Sequence, residues 1–382
     1  MKVGILTLYY NNRNMGGQLQ AFALTNVLRK YCLSAEQISF DYMRYYESNH
    51  PVNKNGSNRT KSYLVKEIYW LLKVIKKNPQ FWQRISRFKC FQYMIRHSTN
   101  LYLSDFCQDY DRIVVGSDQV WGEWLPPRVL ELFLLKYCDA SCKKYSYAAS
   151  IGSDFISENH LEILKQSLTR FDSLSVREVS AAKQLEKILP NKEIMVHIDP
   201  TLLLTAAEWD KLQKPAKHPQ KYVFCYFLGK ERSYREYATI FAKHFHLPIV
   251  TMPYIKDNYV EGYEDDFGDI KDISSGPSQF IHLIKNAEVV LTDSFHASVF
   301  SLQYHIPFYA MARINHETNS SNTRMTDLLG SFALLDRYIS AEQLADIRVY
   351  DDICFDEFEK NIIALRREAN NYLKKIVSKQ SE

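Results

Sequence analysis

Short apolar runs alternate with amphipathic stretches along most of the chain, and this pattern predicts its secondary structure. Strands are predicted to begin at Val3 and Arg112, and the segment at residues 18–31 has helical periodicity. Uninterrupted apolar runs of this kind are typical of strands buried on both faces of a parallel sheet. The further predicted strands are residues 38–41, 144–150, 173–176, 195–198, 222–228, 249–250, 289–291 and 308–309.

The predicted elements fall into two blocks, separated by a segment rich in Lys, Pro and His at residues 211–221. Strands that alternate with helices in two blocks indicate an α/β protein with two Rossmann-like domains facing a cleft. We expect the first domain at residues 1–210 and the second at residues 221–350. A helix at residues 355–378 is expected to cross back to the first domain. The length of 382 residues suits two domains of ordinary size.

The composition is that of a soluble globular protein, with 46% hydrophobic and 24% charged residues. No apolar run approaches the roughly 20 residues of a membrane span. The apolar start of the chain is too short for a signal peptide, and we expect it to form a first buried strand. The seven cysteines are odd in number and form no CxxC pair or zinc set. These features favour a reduced, cytoplasmic protein.

The net charge of +4 is unevenly distributed, because residues 61–96 contain nine Lys or Arg and one acidic residue. Aromatic and aliphatic residues, among them Trp70, Trp82 and Phe88, lie between these charges. A basic, aromatic, amphipathic helical segment can lie on an anionic membrane surface. The simpler alternative is a helical insertion that packs on the core with its lysines in water. Nucleic-acid binding is a third alternative, but no nucleic-acid motif supports it.

Chemistry is most clearly indicated at residues 288–308. There an apolar run ends in Thr-Asp-Ser and an amphipathic run follows at once, which predicts strand, loop and helix with His296 at the boundary. Ligands of α/β sheets bind at the carboxyl ends of strands, and helix N-termini offer N–H groups to anions. A histidine in this position can both meet an anionic substrate and move a proton.

The first strand leads into a loop that contains Arg13, Asn14, Gly16 and Gly17. Glycine lets a backbone approach a ligand closely, and the helix that follows favours anions. The loop lacks a GxGxxG pattern, so a dinucleotide site is poorly supported. Either an ordinary strand–helix turn or a loop facing an acceptor or a phosphate fits the sequence.

Polar residues also follow two other predicted strands. After the strand that begins at Arg112, Asp118 could accept a sugar hydroxyl and Trp121 could stack on a sugar ring, or Ser117 or Asp118 could simply cap a helix. Arg177 suits bidentate binding of a carboxylate or phosphate, although pairing with Glu178 is an equal alternative. The acidic segment 264–269 is better explained as a solvated loop than as a metal site.

Five segments together resemble the polysaccharide pyruvyl transferase family, and they occur in the family's order over nearly the whole chain. They are residues 14–24, Val115-Gly-Ser-Asp-Gln-Val-Trp121, Ser175-Val-Arg-Glu178, Asp199-Pro-Thr-Leu-Leu203 and Thr292-Asp-Ser-Phe-His296. The resemblance implies a fold like that of two-domain GT-B glycosyltransferases. It also implies transfer of the enolpyruvyl carbons of phosphoenolpyruvate to a sugar of a surface or capsular polysaccharide precursor, forming a cyclic pyruvate ketal.

By this resemblance, Asp118, Arg177 and His296 match acid, arginine and histidine positions of the family. Some members carry an arginine where this chain has Ser294, beside Phe295, so another cation must meet the phosphate. The candidate cations are Arg324, Arg313 and Arg13.

The resemblance places the acceptor in the first domain and phosphoenolpyruvate in the second. We expect no cofactor and no metal, a lipid-linked glycan acceptor, and a cytoplasmic enzyme held peripherally at the inner face of the cytoplasmic membrane.

Two functions of other classes remain open. A nucleotide-sugar glycosyltransferase would use the same two domains, with a diphosphate at the helix that contains His296. A non-catalytic sugar-binding protein would keep the cleft but would lose no chemistry on replacement of His296.

Overall fold

The structure, a computed structural model, describes residues 1–39, 68–69, 71–76, 78–98, 106–139, 141–153, 156–253, 266–313 and 322–378. The chain forms two compact units. The first comprises Met1–Ile151, Ile156–Pro200 and Ala369–Glu382, and the second comprises Gly152–Phe155 and Thr201–Glu368.

The first unit is built on a parallel sheet with the strand order β2-β1-β3-β4, beside a parallel pair formed by β5 and β6. Its strands are β1 Val3–Leu6, β2 Glu36–Gln37, β3 Arg112–Val115, β4 Lys143–Ser146, β5 Leu174–Val176 and β6 Ile194–Val196. Its helices are α1 Met15–Tyr31, α2 Phe81–Met94, α3 Pro127–Phe133, α4 Glu158–Leu168 and α5 Val179–Ile188. Strand β1 is fully buried, as its uninterrupted apolar run predicts.

The second unit contains a parallel sheet with the order β11-β10-β7-β8-β9. Its strands are β7 Val223–Tyr226, β8 Ile249–Thr251, β9 Ile270–Lys271, β10 Val289–Thr292 and β11 Phe308–Ala310. Its helices, after α6 Pro200–Leu203 at the boundary, are α7 Ala206–Asp210, α8 Arg232–His244, α9 Pro277–Lys285, α10 Phe295–Gln303 and α11 Thr323–Gly330. Strand β10, which lies between β11 and β7, is completely buried.

The terminal helix α12, Asp356–Val377, begins in the second unit and ends in the first. Its last turns bury Leu373 and Ile376, and the Tyr372 hydroxyl donates a hydrogen bond to the Ser146 carbonyl at 2.7 Å. The predicted return of this helix to the first domain is therefore confirmed.

Several local expectations are corrected. Strand β2 lies two residues before the predicted start at residue 38, and residues 40–41 of that prediction lie outside the described residues. The short strand β9 was not predicted, because its two half-buried residues form no apolar run. Helix α1 begins at Met15 rather than residue 18, because the Asn14 side chain accepts a hydrogen bond from the Gly17 N–H and caps it.

The expectation of reduced cysteines is also corrected, since Cys107 and Cys138 form a disulfide. These two residues are 31 positions apart, and a spacing of this length gives no motif from which the pair could be predicted.

The basic segment is helical at residues 68–69, at residues 71–76 and in α2, whereas residues 78–80 and 95–96 form turns or irregular structure. Residues 61–67, 70 and 77 of the prediction lie outside the described residues. None of the helices in the described ranges combines the length and apolar content that a bilayer span requires.

Candidate active site

Polar side chains of the first unit meet at the carboxyl ends of its parallel strands. Ser117, which follows β3, is completely buried and donates a hydrogen bond through Oγ to the Ala148 carbonyl at 2.6 Å. The same Oγ lies 3.5 Å from Oδ2 of Asp199, which follows β6. Ser117 therefore joins two strand ends rather than offering its hydroxyl to a ligand.

Arg177, at the end of β5, is bound by two carboxylates. Its Nη1 donates to Asp199 Oδ2 at 2.8 Å and its Nε to Glu178 Oε1 at 3.3 Å, and all three side chains are buried. Burial alone would lower the pKa of Arg177, but Glu178, Asp199 and the nearby Asp118 raise it above its ordinary value. Two buried carboxylates therefore already compensate the positive charge of Arg177, which the sequence offered as a binding group for a substrate anion.

Asp118 lies at the partly exposed side of this network. Its backbone has φ of 69°, and its carbonyl accepts hydrogen bonds from the N–H groups of Val120 at 2.7 Å and Ser150 at 3.0 Å. A non-glycine residue in the left-handed region is strained, and such residues cluster at functional sites. Asp118 is thus fixed in place while its side chain retains access to solvent.

Trp121 cannot stack on a sugar as the sequence suggested, because it is fully buried. Its indole packs edge-to-face against Phe171, and its Nε1 donates to the Phe133 carbonyl at 3.3 Å. The sequence motif shows the polar neighbours of Trp121 but not the contacts with Phe133 and Phe171 that bury its side chain.

The first loop is held by the side-chain amide of Gln18 in α1. Gln18 donates through Nε2 to the carbonyls of Tyr9 and Asn12, at 2.7 and 3.0 Å. A Cβ atom on Gly17 would lie 2.7 Å from the Leu8 carbonyl oxygen, so glycine is required for this close approach. The loop is a compact strand–helix turn in which Gly16 and Gly17 are buried and Arg13 is partly exposed.

His197 is a functional candidate that the sequence analysis missed. Its Nδ1 lies 2.8 Å from Ser175 Oγ, and its ring packs on Tyr372 with a centroid separation of 4.7 Å. Burial lowers the pKa of His197 to about 4, so the imidazole is neutral near pH 7. Its position directly after β6, two residues before Asp199, was the available signal.

The second unit presents a different arrangement at the end of β10. The carboxylate of Asp293 accepts hydrogen bonds from the N–H groups of Leu228 at 2.7 Å and Gly229 at 2.6 Å, which fixes it against the end of β7. A Cβ atom on Gly229 would lie 2.8 Å from Asp293 Oδ2, so this approach also requires glycine. Sequence analysis identified the Asp293 segment but not Gly229, which follows β7 and lies 64 positions earlier in the chain.

Helix α10 begins immediately after this carboxylate. Ser294 is its N-cap, with its side chain accepting a hydrogen bond from the Ala297 N–H, and Phe295 and His296 form the first turn. His296 is 8% exposed and packs edge-to-face with Phe295 at 5.3 Å. The structure therefore places His296 at the N-terminal end of a helix that follows a buried strand, as the sequence predicted.

Arg313 and Arg324 line one recess beside this helix end. Its wall consists of Asp293, Phe295, Met311, Arg313, Asn322, Arg324 and Met325. Arg313 donates through Nη2 to the Asp293 carbonyl at 3.2 Å, and the Arg324 guanidinium lies 6.0 Å from the centre of the Phe295 ring. Two guanidinium groups and one carboxylate give the recess a net positive charge. Of the three candidate cations, Arg13 belongs to the first unit.

His296 is not among the residues that line the recess. Within the described ranges there is also no group of three or more His, Cys, Asp or Glu residues placed to hold a metal ion.

Comparison with known proteins gives a family and a fold. The family model described as polysaccharide pyruvyl transferase matches residues 14–315. No curated protein sequence matches the chain.

Similar solved structures include UGT89C1 of Arabidopsis thaliana, complexed with UDP-L-rhamnose, at 10% identity and a TM-score of 0.54. That comparison covers 99% of each chain. Another is the UDP-GlcNAc 2-epimerase of Neisseria meningitidis, at 10% identity and a TM-score of 0.50, covering 99% of this chain and 98% of the other. At these identities the likeness establishes the GT-B type of fold alone, which confirms the predicted fold class.

Proposed function

Since the chain belongs to the polysaccharide pyruvyl transferase family, we propose that it forms a cyclic pyruvate ketal on a sugar of a surface or capsular polysaccharide precursor, with phosphoenolpyruvate as donor. The observation that carries this proposal is the recess of the second unit, where Arg313 and Arg324 lie beside the N-terminal end of α10.

Phosphoenolpyruvate carries a phosphate and a carboxylate, and the recess presents two guanidinium groups to such anions. Guanidinium groups bind both by charged hydrogen bonds, and the first N–H groups of a helix attract negative charge. Asp293 accepts hydrogen bonds from the N–H groups of Leu228 and Gly229, and its Oδ2 also lies 4.0 Å from Arg313 Nε, so this carboxylate offsets one of the two guanidinium charges and leaves the recess net positive. Some family members carry an arginine at the position of Ser294. We assign the phosphate-binding role of that arginine to Arg313 and Arg324 together.

The reaction needs a proton at the methylene carbon of phosphoenolpyruvate, which leaves C2 with oxocarbenium character. One acceptor hydroxyl adds to C2 and gives up its proton, the C–O bond to phosphate breaks, and inorganic phosphate leaves with a proton. A second hydroxyl of the same sugar then adds to C2, and loss of its proton completes the ketal. In this proposal His296, which directly follows the recess residue Phe295 in the first turn of α10, donates the first proton or meets the phosphate, and Asp118 orients or deprotonates the acceptor.

Arg177 has a different role in this proposal from the anion clamp expected from the sequence. Its two carboxylate partners and Asp118 make the strand ends of the first unit net negative. Such a surface disfavours an anionic donor and favours hydroxyl groups, which donate hydrogen bonds to carboxylates. Arg177 is therefore a positioning residue on the acceptor side.

The acceptor is proposed to be lipid-linked, with α2 resting on an anionic membrane. The inward face of α2 is buried through Phe81, Phe88 and Phe91, whereas Trp82 and Tyr93 are 60% and 77% exposed. Lys89 lies on the same outward face as these two aromatics, at helical spacings of seven and four residues. Residues 78–98 contain no Asp or Glu. Exposed aromatics with only basic neighbours suit an anionic lipid surface.

The decisive experiment is incubation of the chain with phosphoenolpyruvate and candidate lipid-linked glycans, followed by mass spectrometry of the glycan and measurement of released phosphate. We expect one ketal and one phosphate per transfer. A parallel thermal-shift assay compares phosphoenolpyruvate with UDP. Stabilisation by UDP and not by phosphoenolpyruvate would instead support the nucleotide-sugar glycosyltransferase alternative and contradict the proposal.

A further inference from the structure

We propose that His218 and His282, in the second unit, form a binding site for one divalent transition-metal ion. His282 is on α9, and His218 lies in the segment that leads to β7. Their Nε2 atoms are 3.2 Å apart, and both side chains are half-buried. The site lies apart from the residues that line the recess and goes beyond the proposed function.

The contacts of the two Nδ1 atoms determine what their Nε2 atoms can do. His218 Nδ1 faces the Pro219 carbonyl at 2.7 Å, and His282 Nδ1 faces Gln213 Oε1 at 3.2 Å. A carbonyl or amide oxygen can only accept, so each Nδ1 carries a proton. In two neutral rings of this kind both Nε2 atoms present lone pairs, which cannot hydrogen-bond to each other. A cation bound between the two Nε2 atoms would accept both lone pairs and remove their repulsion.

The orientation of Gln213, on which this argument depends, is set by a neighbouring carboxylate. Gln213 Nε2 donates to Asp210 Oδ1 at 3.0 Å, which leaves Oε1 as the amide atom that faces His282. Asn286 Nδ2 lies 3.4 Å from the same Nδ1, a longer contact than that of Gln213, and makes its short hydrogen bond to the His282 carbonyl at 2.8 Å. Metal-binding histidines characteristically donate their other N–H to such an oxygen acceptor.

The separation of the two nitrogen atoms suits a bound ion. Two Zn–N bonds of about 2.0–2.1 Å at a tetrahedral angle place their nitrogen atoms about 3.3 Å apart. Imidazole nitrogen is a preferred ligand of Zn²⁺, Cu²⁺ and Ni²⁺. The pair supplies two ligands, and because both rings are only half-buried, water can complete the coordination.

The surrounding charges are compatible with a bound cation. Lys285, the nearest positive side chain on α9, donates to Asp210 Oδ1 at 2.8 Å, so its charge is compensated. A bound ion would tie the segment that contains Gln213 and His218 to α9 and would stabilise the second unit by mass action.

The test uses the full chain without an added histidine tag. One equivalent of Cu²⁺ should give an electron paramagnetic resonance spectrum with coupling to two imidazole nitrogens, and Zn²⁺ should bind 1:1 by calorimetry. His218→Gln and His282→Gln should each reduce the coupling to one nitrogen. Gln213→Ala should weaken Zn²⁺ binding by about 10–100-fold. His244→Gln, which changes an exposed histidine on α8, is the matched control and should bind like the unaltered chain.

Failure of the unaltered chain to bind either ion at one equivalent would overturn the inference, and this result does not depend on the folding of any variant. Equal affinity in the His218→Gln, His282→Gln and unaltered chains would also overturn it, provided that their circular dichroism spectra agree. Stability that peaks at weakly acidic pH and is insensitive to metal would show that the two rings share a proton instead.

Discussion

His296 is the residue on which the proposed chemistry depends most directly. We expect His296→Gln and His296→Ala to lower kcat by about 10²–10⁴-fold, the usual contribution of a positioned acid or base, while the fold stays intact. Steady-state kinetics with thermal unfolding measures both. The control is His305→Gln, since His305 is bound to Glu359 beyond the far end of α10. Near-normal turnover in a folded His296 variant would remove this residue from the mechanism.

Truncation of the recess arginines is expected to weaken substrate binding, whereas truncation of Arg177 is expected to lower stability. Arg313→Ala and Arg324→Ala should each weaken phosphoenolpyruvate binding by about 1.5–3 kcal/mol, as for a lost charged hydrogen bond. Arg177→Ala should instead lower the free energy of unfolding by about 3–5 kcal/mol, because it leaves buried carboxylates uncompensated. Calorimetry and denaturant unfolding separate the two effects. Weakened donor binding by a stable Arg177→Ala variant would restore Arg177 as the anion clamp.

The buried, neutral ring of His197 leads us to expect that the first unit loses stability in acid. Its pKa is about 4 in the folded chain and about 6.5 when unfolded, so between these values the unfolded state binds more protons. Stability from the neutral ring is fully present above pH 6.5 and is lost as pH falls towards 4, by roughly 3 kcal/mol. Denaturant unfolding at pH 7 and pH 4.5 tests this, and His197→Asn should lose less stability over that interval. An equal loss in both chains would assign the acid sensitivity to other groups.

At the scale of single elements, α2 shows how one helix can serve both the core and a surface. Its buried face packs on α1 through Phe91 and Phe22, whose ring centroids are 5.5 Å apart. Its Gln92 Oε1 accepts a hydrogen bond from the Asn11 N–H at 3.2 Å. A membrane that contacts the outward face of α2 would therefore lie near the first loop, which contains Arg13 and Asn14.

The proposed membrane contact of α2 predicts salt-sensitive binding to anionic vesicles. Each surface Lys or Arg contributes about 1 kcal/mol, and screening weakens the attraction at high salt. Trp82→Ala combined with Tyr93→Ala should reduce co-sedimentation at low salt, whereas Ile363→Ala, an equally exposed apolar residue of α12, should not. A chain that stays in the supernatant at low salt would show that the outward face of α2 is an ordinary solvated surface.

At the scale of the whole molecule, the end of α12 completes the first unit. Leu373, Ile376 and Val377 are buried there, and each large buried side chain removed costs about 2–5 kcal/mol. Deletion of residues 369–382 should therefore lower the unfolding temperature of the first unit more than that of the second. Hydrogen exchange resolved by segment measures this, and the control is deletion of residues 379–382 alone. Equal protection in the two chains would contradict the prediction.

The sequence determined the elements and the positions of the strand ends. Apolar runs and helix caps are local, so they predicted most of the strands, the start of α10 at the segment with His296, and the terminal helix α12. They failed where the local signal was absent, as at the two-residue strand β9. The motif order also identified the family, because short motifs retain their order along the chain.

The tertiary structure decided which of these residues have partners. Burial of Trp121, the two carboxylates on Arg177 and the disulfide between Cys107 and Cys138 depend on contacts between distant segments. The same is true of the recess with Arg313 and Arg324 and of the pair His218 and His282, which are 64 positions apart. Periodicity determines which face of an element is buried, whereas a pairing of side chains depends on how the elements pack. The sequence therefore located the candidate site residues, and the fold determined their burial and their side-chain partners.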